Sequence, residues 1–195
     1  LGGQVTGLSD NFVDGGQVKS GEKLVEIDDS DAQSFYLKAK ADIMDAKAEV
    51  EDAERALLLS KDELEAALKQ SALRENALSR QRDLQVRGVG TKAAVEAAEL
   101  ALSSAEQSVL NRRSAVDQAK ARGASAGTRL IRSQLALDDA SRRLEDTKLF
   151  SKFDGVLSNI TLVEGGIVTA NERIGRLIDP NSLEVAFRVS TEQYS

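Results

Sequence analysis

Few side chains in this sequence could act as catalysts. The chain contains no His and no Cys, which excludes thiol nucleophiles, thiolate or imidazole metal sites and imidazole general bases. The neighbouring acids Asp28, Asp29 and Asp31 stand at the start of a helical pattern. Carboxylates there cap a helix and interact favourably with its dipole, so we interpret them as capping groups rather than as an acid–base pair. We therefore predict no catalytic residue, no metal site and no cofactor.

The composition favours long helices and excludes other classes of protein. Aromatic residues make up 4% of the chain, too few for a large globular core, while Ala, Leu, Glu, Lys and Arg dominate its centre. The 26 basic and 32 acidic residues are interspersed and give a net charge of −6, so the charge gives no reason to expect binding to nucleic acid, which requires a basic face. No segment approaches the roughly 18 to 20 apolar residues that span a bilayer. Because Leu1 starts inside a strand-like segment, we interpret the chain as a fragment or a mature form.

Two seven-residue repeats in the middle of the chain predict two long helices. Large residues recur every seven positions over 36–78 and again over 95–144, and mostly small residues recur three positions after each of them. This spacing is typical of the contact line of a coiled coil, here called the seam. The large positions are Tyr36, Ile43, Val50, Leu57, Leu64, Ser71 and Leu78, then Val95, Leu102, Val109, Val116, Gly123, Leu130, Leu137 and Leu144.

The glycine-rich segment Gly88–Gly90 lies between the two repeats and predicts a turn. The two helices are therefore expected to form an antiparallel hairpin, with arms at about 31–87 and 91–148. An arm of about 57 residues is roughly 85 Å long, because a helix rises about 1.5 Å per residue. Pairing the arms about the turn makes facing residue numbers sum to about 180, and the small residues then allow close approach. For example, Ile43 faces Leu137.

Two kinds of residue interrupt the seam. Arg74 and Arg112 replace alanines, and we expect their charged heads to reach water. Gly123 and Gly127 lie within the second arm, where each is less favourable than Ala by about 1 kcal/mol. We interpret the glycines as a close-packed or mildly kinked point opposite Leu57 rather than as a break between two helices, because the repeat keeps its phase across them.

The segments on either side of the arms are predicted to be β structure. Apolar residues in both segments alternate with glycines that mark turns and bulges. The motif Val-Asp-Gly-Gly-x-Val at 13–18 recurs at 163–168 with Glu in place of Asp. We therefore predict that residues 1–30 and 149–181 are two halves of one β domain that the hairpin interrupts. The alternating segment that follows predicts the first strand of a further β domain, over 182–195.

This order of segments resembles that of the periplasmic adaptor proteins, also called membrane fusion proteins, of tripartite efflux and secretion systems. Residues 13–28 resemble the family's first lipoyl-like half-motif, and Phe153-Asp154-Gly155 resembles the re-entry into the second half. Ser151-Lys152 departs from the Ala-Pro that usually precedes that triplet. The resemblance implies an α+β fold in which a long antiparallel α-helical coiled-coil hairpin, residues 31–148, is inserted between two halves of a lipoyl-like β-sandwich. The start of a β-barrel domain would follow.

The most specific resemblance lies near the turn. Adaptors that dock TolC-like outer-membrane channels carry an Arg, a Leu four residues later and a Ser seven residues beyond the Leu; this sequence has Arg80, Leu84 and Thr91 at those positions. The resemblance implies that Arg80 offers donors to a partner helix, that Leu84 supplies an apolar contact, and that Thr91 supplies a hydroxyl. Together with Gly88 and Gly90 they form the implied channel-binding site. As an alternative, the three are a solvated helix residue, the last seam residue and a helix cap.

The resemblance also implies a function and a location. The protein would be a non-enzymatic adaptor in the periplasm of a Gram-negative bacterium, anchored to the inner membrane by a segment outside this sequence. Six copies would form a conduit between an inner-membrane transporter of the resistance-nodulation-division (RND) type and a TolC-like outer-membrane channel. An ATP-driven efflux pump or a type I secretion system is the alternative partner. No nucleic acid is expected among its partners.

Two other classes of protein fit the sequence less well. A lipoyl or biotin carrier domain needs a modified Lys on an exposed hairpin between its two halves, but here the helical arms occupy that place, and the single Met, Met44, has no Lys beside it. A cytosolic structural coiled-coil protein would account for the arms. It would leave the paired β halves unexplained.

Overall fold

The computed structural model describes residues 2–180. In chain order the elements are β1 Gly3–Leu8, β2 Gln17–Val18, β3 Lys23–Ile27, α1 Ser30–Val86, α2 Lys92–Glu145, β4 Lys148–Phe150, β5 Gly155–Ser158, β6 Ile167–Val168 and β7 Arg176–Ile178. The predicted α+β class, with two long helices inserted between two β segments, is confirmed. The expected barrel strand over 182–195 lies outside the described residues.

The chain divides into two compact units. Among the described residues, 2–38 and 137–180 form one, called the β unit, and Ala39–Ala136 forms the other, called the helical unit. All strands belong to the first unit, together with the outer ends of both helices. Each unit therefore has to be explained by its own packing.

The first helix starts where the acidic run was expected to cap it. An Oδ1 oxygen of Asp28 accepts hydrogen bonds from the hydroxyl and, at 3.0 Å, from the main-chain amide of Ser30, and these bonds lower the pKa of Asp28. The carbonyl of Asp29 accepts the first turn's bond from the Gln33 amide at 2.7 Å. These contacts confirm the capping interpretation for Asp28.

The second helix ends at Glu145, three residues before the expected limit. The buried Thr147 hydroxyl donates to the Leu144 carbonyl at 2.6 Å, and Lys148 already belongs to β4. The Lys148 ammonium lies 3.6 Å from Glu26 and 4.0 Å from Asp29. The strand pairing therefore ends the helix earlier than the seven-residue repeat suggests.

The β unit contains two antiparallel sheets that mix both halves of the chain. The four-stranded sheet has the order β4-β3-β1-β6, and the three-stranded sheet has the order β2-β5-β7. Strand β1 pairs with β6 through Gly3 and Val168, and β2 pairs with β5 through Val18 and Gly155. Neither half could complete a sheet alone, which explains why the sequence carries one half on each side of the arms.

The core of the β unit draws on both sheets. Its buried members are Val5, Phe12, Val18, Leu24, Val25, Leu157 and Val168. Other apolar residues of the second half, including Phe150, Phe153, Val163 and Ile167, are exposed. Burial of apolar side chains in this small core is the main stabilising contribution that holds the two halves together.

The repeated motif produces two matching turns. Gly15 and Gly165 have φ angles of 82° and 79°, in the left-handed region that favours glycine. Each motif is followed by a second turn in which a glutamate accepts a hydrogen bond from a main-chain amide three residues earlier. Glu22 accepts at 3.0 Å from Lys19, and Glu172 accepts at 2.8 Å from Thr169.

In the helical unit the positions that lose solvent contact are those of the predicted seam. Its buried apolar residues are Ala39, Ile43, Ala46, Leu78, Val95, Val109, Val116 and Ala119, and all belong to the two repeats. Ala46, a small position, is 0% exposed. Alternating large and small residues therefore bring the two helices into contact along the predicted line.

Three ion pairs between the arms show the relative direction and the register of the two helices. Glu49 pairs with Arg129, Glu63 pairs with Arg112 at 2.8 Å, and Arg82 pairs with Glu99 at 2.7 Å. In each pair the residue numbers sum to about 180, as an antiparallel coiled coil with the predicted register requires. The hairpin is therefore confirmed. The Arg112 head reaches the surface as expected, and there it pairs with Glu63 of the other arm, which was not predicted.

The interpretation of the two helix glycines is corrected by the structure. Helix α2 runs without a break from Lys92 to Glu145, as expected. A side-chain carbon built on Gly123 or Gly127 would meet nothing within 4 Å, so close packing does not require them.

Candidate interaction site at the helical turn

A Schellman motif ends the first arm. The amide of Gly88 donates to the Gln85 carbonyl at 3.0 Å, and the amide of Val89 donates to the Leu84 carbonyl at 3.1 Å. Gly88 has a φ of 78°, the left-handed conformation that this motif requires at its first residue past the helix. The turn therefore satisfies the Leu84 and Gln85 carbonyls of α1 within the chain.

Gly90 is needed for a different reason. Its amide donates to the Leu84 carbonyl at 3.0 Å, and a side-chain carbon at this position would lie 2.6 Å from the main-chain nitrogen of Gln85. The main chain after the turn thus folds back onto the end of α1. Gly88 and Gly90, predicted as part of a binding site, shape the loop that presents the other residues.

Thr91 begins the second arm. Its hydroxyl accepts a hydrogen bond from the Ala94 amide at 3.2 Å, which is the geometry of an N-cap. The capping interpretation of Thr91 is therefore confirmed. One lone pair and the hydroxyl proton are left for another partner.

The remaining surface of the turn is apolar with a flanking cation. Leu84 is 40% exposed, Val86 is 88% exposed and Val89 is 75% exposed. Arg80 lies one helical turn before Leu84 and is also exposed. We call residues 80–91 the tip surface. Single exposed apolar residues are ordinary on a protein surface, but three around one turn are typical of a contact site.

Sequence reasoning found Arg80, Leu84 and Thr91 but missed the two valines. Val86 and Val89 lie outside the seven-residue repeat, beside Gly88, and an apolar residue at a turn that does not fit the seam is the signal that was available. The Arg82–Glu99 ion pair, which joins the arms close to the turn, was also missed. Applying the register to charged residues would have found it.

The chemistry that this surface offers is recognition. A guanidinium can donate two parallel hydrogen bonds to a carboxylate, and the apolar side chains can enter a groove between partner helices. Within residues 2–180 there is no group of three or more Asp or Glu side chains placed to hold a metal ion. Across those residues, no helix has the length and hydrophobicity that crossing a membrane requires.

Comparisons with solved structures identify the fold. No family model matches the sequence, and no curated protein matches it. The chain superposes on a MacA–MexA chimeric protein that contains the Pseudomonas aeruginosa MexA alpha-hairpin domain, with 20% identity and a TM-score of 0.50 over 91% of this chain. It also matches MacA from Actinobacillus actinomycetemcomitans (21% identity, TM-score 0.45, 92% of this chain) and the periplasmic adaptor protein EmrA (18%, 0.46, 93%).

The predicted resemblance to membrane fusion proteins is thus confirmed for the fold. This chain spans 42% of the chimeric protein and 47% of that MacA, so it corresponds to part of their length. It covers 70% of EmrA.

Proposed function

We propose that this chain is the α-hairpin and β-domain portion of a periplasmic adaptor in a tripartite efflux system. In this proposal residues 1–30 and 149–181 are the halves of a lipoyl-like domain, 31–148 is the hairpin and 182–195 starts a β-barrel domain. The protein performs no catalysis. It links an inner-membrane RND transporter to a TolC-like outer-membrane channel across the periplasm. In doing so it seals the conduit between them and transmits the motion of the pump.

The observation that carries the proposal is the tip surface. Two arms in a fixed register end in a hydrogen-bonded turn, so Arg80 and Leu84 in the last turns of α1 and Val89 in the connecting loop are held in defined positions. Exposed residues on a rigidly held loop are where recognition usually occurs. A helical channel end would receive the apolar side chains, while the Arg80 guanidinium and the Thr91 hydroxyl bind its carboxylates or carbonyls.

Association between copies is supported by apolar residues away from the seam. Large exposed side chains occur on both arms of the helical unit: Met44, Leu58, Leu59, Leu68 and Leu73 on α1, and Leu100, Leu110, Ile131 and Leu135 on α2. A two-helix hairpin can bury only one line of each helix against the other arm. We infer that these residues contact neighbouring adaptors in an assembly of six copies.

Site-specific photo-crosslinking tests the channel-binding role. A photoreactive residue placed at Arg80, Leu84 or Val89 in cells is expected to capture an outer-membrane channel protein. The same residue at the exposed Lys61 of α1 serves as the control and should capture other copies or nothing. Adaptor–adaptor products from every position, without a channel product from the tip, would reject the proposal.

Charge reversal at the tip gives a matched functional test. Arg80→Glu should abolish most efflux, whereas Lys61→Glu should retain it, because only the first charge faces the channel. Both variants should keep the helical circular dichroism of the parent. Loss of helicity in Arg80→Glu would instead favour a purely structural role. Co-purification of an RND transporter or of an ATP-driven pump with the intact adaptor distinguishes the two classes of pump.

A further inference from the structure

The four-stranded sheet of the β unit has two open edges. Strands β4 and β6 stand at its ends, and within residues 2–180 neither has a second neighbouring strand in this sheet. Open edges are places where another chain can add, unless charge or cover prevents it. Each edge here exposes a large apolar side chain, since Phe150 of β4 is 48% exposed and Ile167 of β6 is 76% exposed.

The β4 edge borders a groove between the two sheets. The groove has a volume of about 260 Å³, and its lining includes Leu24, Leu149, Phe150, Leu157 and Leu177. Members of both sheets thus contribute to one apolar depression. We call it the β4 groove.

The charges at the two edges are complementary. Lys152 and Arg176 line the β4 groove and no carboxylate does, although the chain as a whole has a net charge of −6. At the opposite edge, the exposed Glu164 stands beside the exposed Val163 and three residues before Ile167. One edge is therefore apolar and basic, and the other is apolar and acidic.

The strand directions allow these edges to meet. Strand β3 is antiparallel to both β1 and β4, and β6 is antiparallel to β1. Consequently β4 and β6 run in opposite directions. If a second copy continues the sheet in the same orientation, its β4 comes to lie antiparallel to β6 of the first copy, which is the commoner pairing in sheets.

We propose that the β units of two copies associate head to tail, with the Val163–Ile167 edge of one copy seated against the β4 groove of the next. Glu164 of the first copy then faces Lys152 and Arg176 of the second, and Ile167 covers Phe150. The contact joins two different surfaces of the same chain, so it repeats from copy to copy and closes into a ring when the rotation between copies allows. This inference rests on the self-association proposed above and assigns a surface to it.

Cysteine pairing tests the geometry directly, because the chain contains no cysteine of its own. Two single variants of the full chain, Lys152→Cys and Glu164→Cys, are mixed under mild oxidation. Head-to-tail contact predicts disulfide-linked dimers between the two variants, since a disulfide needs Cα atoms within about 7 Å. Dimers of Lys152→Cys with itself would show a face-to-face contact and overturn the proposal. Absence of the mixed dimer, as expected if another part of the chain covers the groove, would also overturn it.

A charge exchange measured by analytical ultracentrifugation provides the second test. Lys152→Glu and Glu164→Lys alone should each weaken self-association by roughly fivefold, because like charges then face each other. The double variant should recover most of the loss, whereas the control Lys47→Glu on α1 should change nothing. Association that is unaffected by all of these changes would reject this surface while leaving self-association intact. Channel crosslinking from the tip, measured separately, decides the proposed function.

Discussion

The helical unit and the β unit bury their apolar residues through different kinds of contact. Along the arms, each seam residue meets partners whose numbers are fixed by the register, so contacts are local in space and repeat along the length. In the β unit, β1 pairs with β3 nearby in sequence and also with β6, more than a hundred residues away along the chain. The arms resemble a repeat structure, whereas the β unit forms only when both chain ends meet.

This difference separates the tasks of the two regions. Because the contacts along the arms repeat, layers can in principle be added to or removed from them without altering the pairing of the β strands. The β unit cannot be divided in that way, because its seven buried core residues come from both halves. A local change should therefore remain local in the arms and spread in the β unit.

The largest expected effect is the loss of a core side chain from the β unit. Leu24→Ala removes a buried side chain and should destabilise the β unit by about 2–5 kcal/mol. Val116→Ala in the seam removes less volume and should cost about 1 kcal/mol. Hydrogen exchange read by mass spectrometry should show faster exchange throughout the β strands in the first variant, and only near the substituted layer in the second.

Leu58→Ala provides the control for these two variants, because Leu58 is exposed on α1. Its stability should change by less than about 0.5 kcal/mol. If Val116→Ala increased exchange along the whole of both arms, the arms would be one cooperative unit, and the contrast with the β unit would be wrong.

The same contrast explains how much of the fold could be predicted from the sequence. The seam could be predicted because helical contacts recur every three or four residues, so composition and spacing alone define the buried line and the register. The edge strands of the β unit could not be predicted from the sequence. Phe150 and Ile167 are as apolar as Leu157 and Val168, yet the first two are exposed and the last two buried. Which short strand lies at an edge depends on pairing with residues distant in sequence.

The tip surface was predictable in part for the same reason. The spacing of Arg80, Leu84 and Thr91 relative to the turn follows from the sequence, and so does the N-cap. The Schellman motif determines which side chains around the turn face water, and that depends on the hydrogen bonds of Gly88 and Val89. Their geometry is a property of the folded turn, so the sequence could mark Val86 and Val89 as apolar residues outside the seam, whereas their exposed fractions come from the structure.

Glycine substitutions in the helical unit should have effects of opposite sign. Gly88 has a φ of 78°, so Gly88→Ala should destabilise the turn by about 1 kcal/mol. Gly123 lies inside α2 with open space where a methyl group would stand, so Gly123→Ala should stabilise the helix by up to about 1 kcal/mol. Thermal unfolding followed by circular dichroism at 222 nm measures both. A destabilising Gly123→Ala would mean that the open space at that position has to be kept, for instance for contact with another copy.

The smallest expected effect is a pH dependence of stability that differs between the two glutamate-containing turns, those of Glu22 and Glu172, that follow the repeated motif. Main-chain hydrogen bonds from Lys19 and from Thr169 lower the pKa of Glu22 and of Glu172, respectively, below the ordinary value of 4.5, and Asn11 lowers that of Glu22 further. A lowered carboxyl pKa contributes stability that is present above pH 4.5 and is lost as the pH falls through the folded-state pKa. Glu22→Gln should therefore reduce the loss of stability between about pH 5 and pH 3. Glu172→Gln should reduce it to a lesser extent, because Glu172 accepts hydrogen bonds from Thr169 alone. Urea unfolding of both variants across that range measures the difference, and equal slopes for the parent and Glu22→Gln would show that the first turn does not depend on its carboxylate.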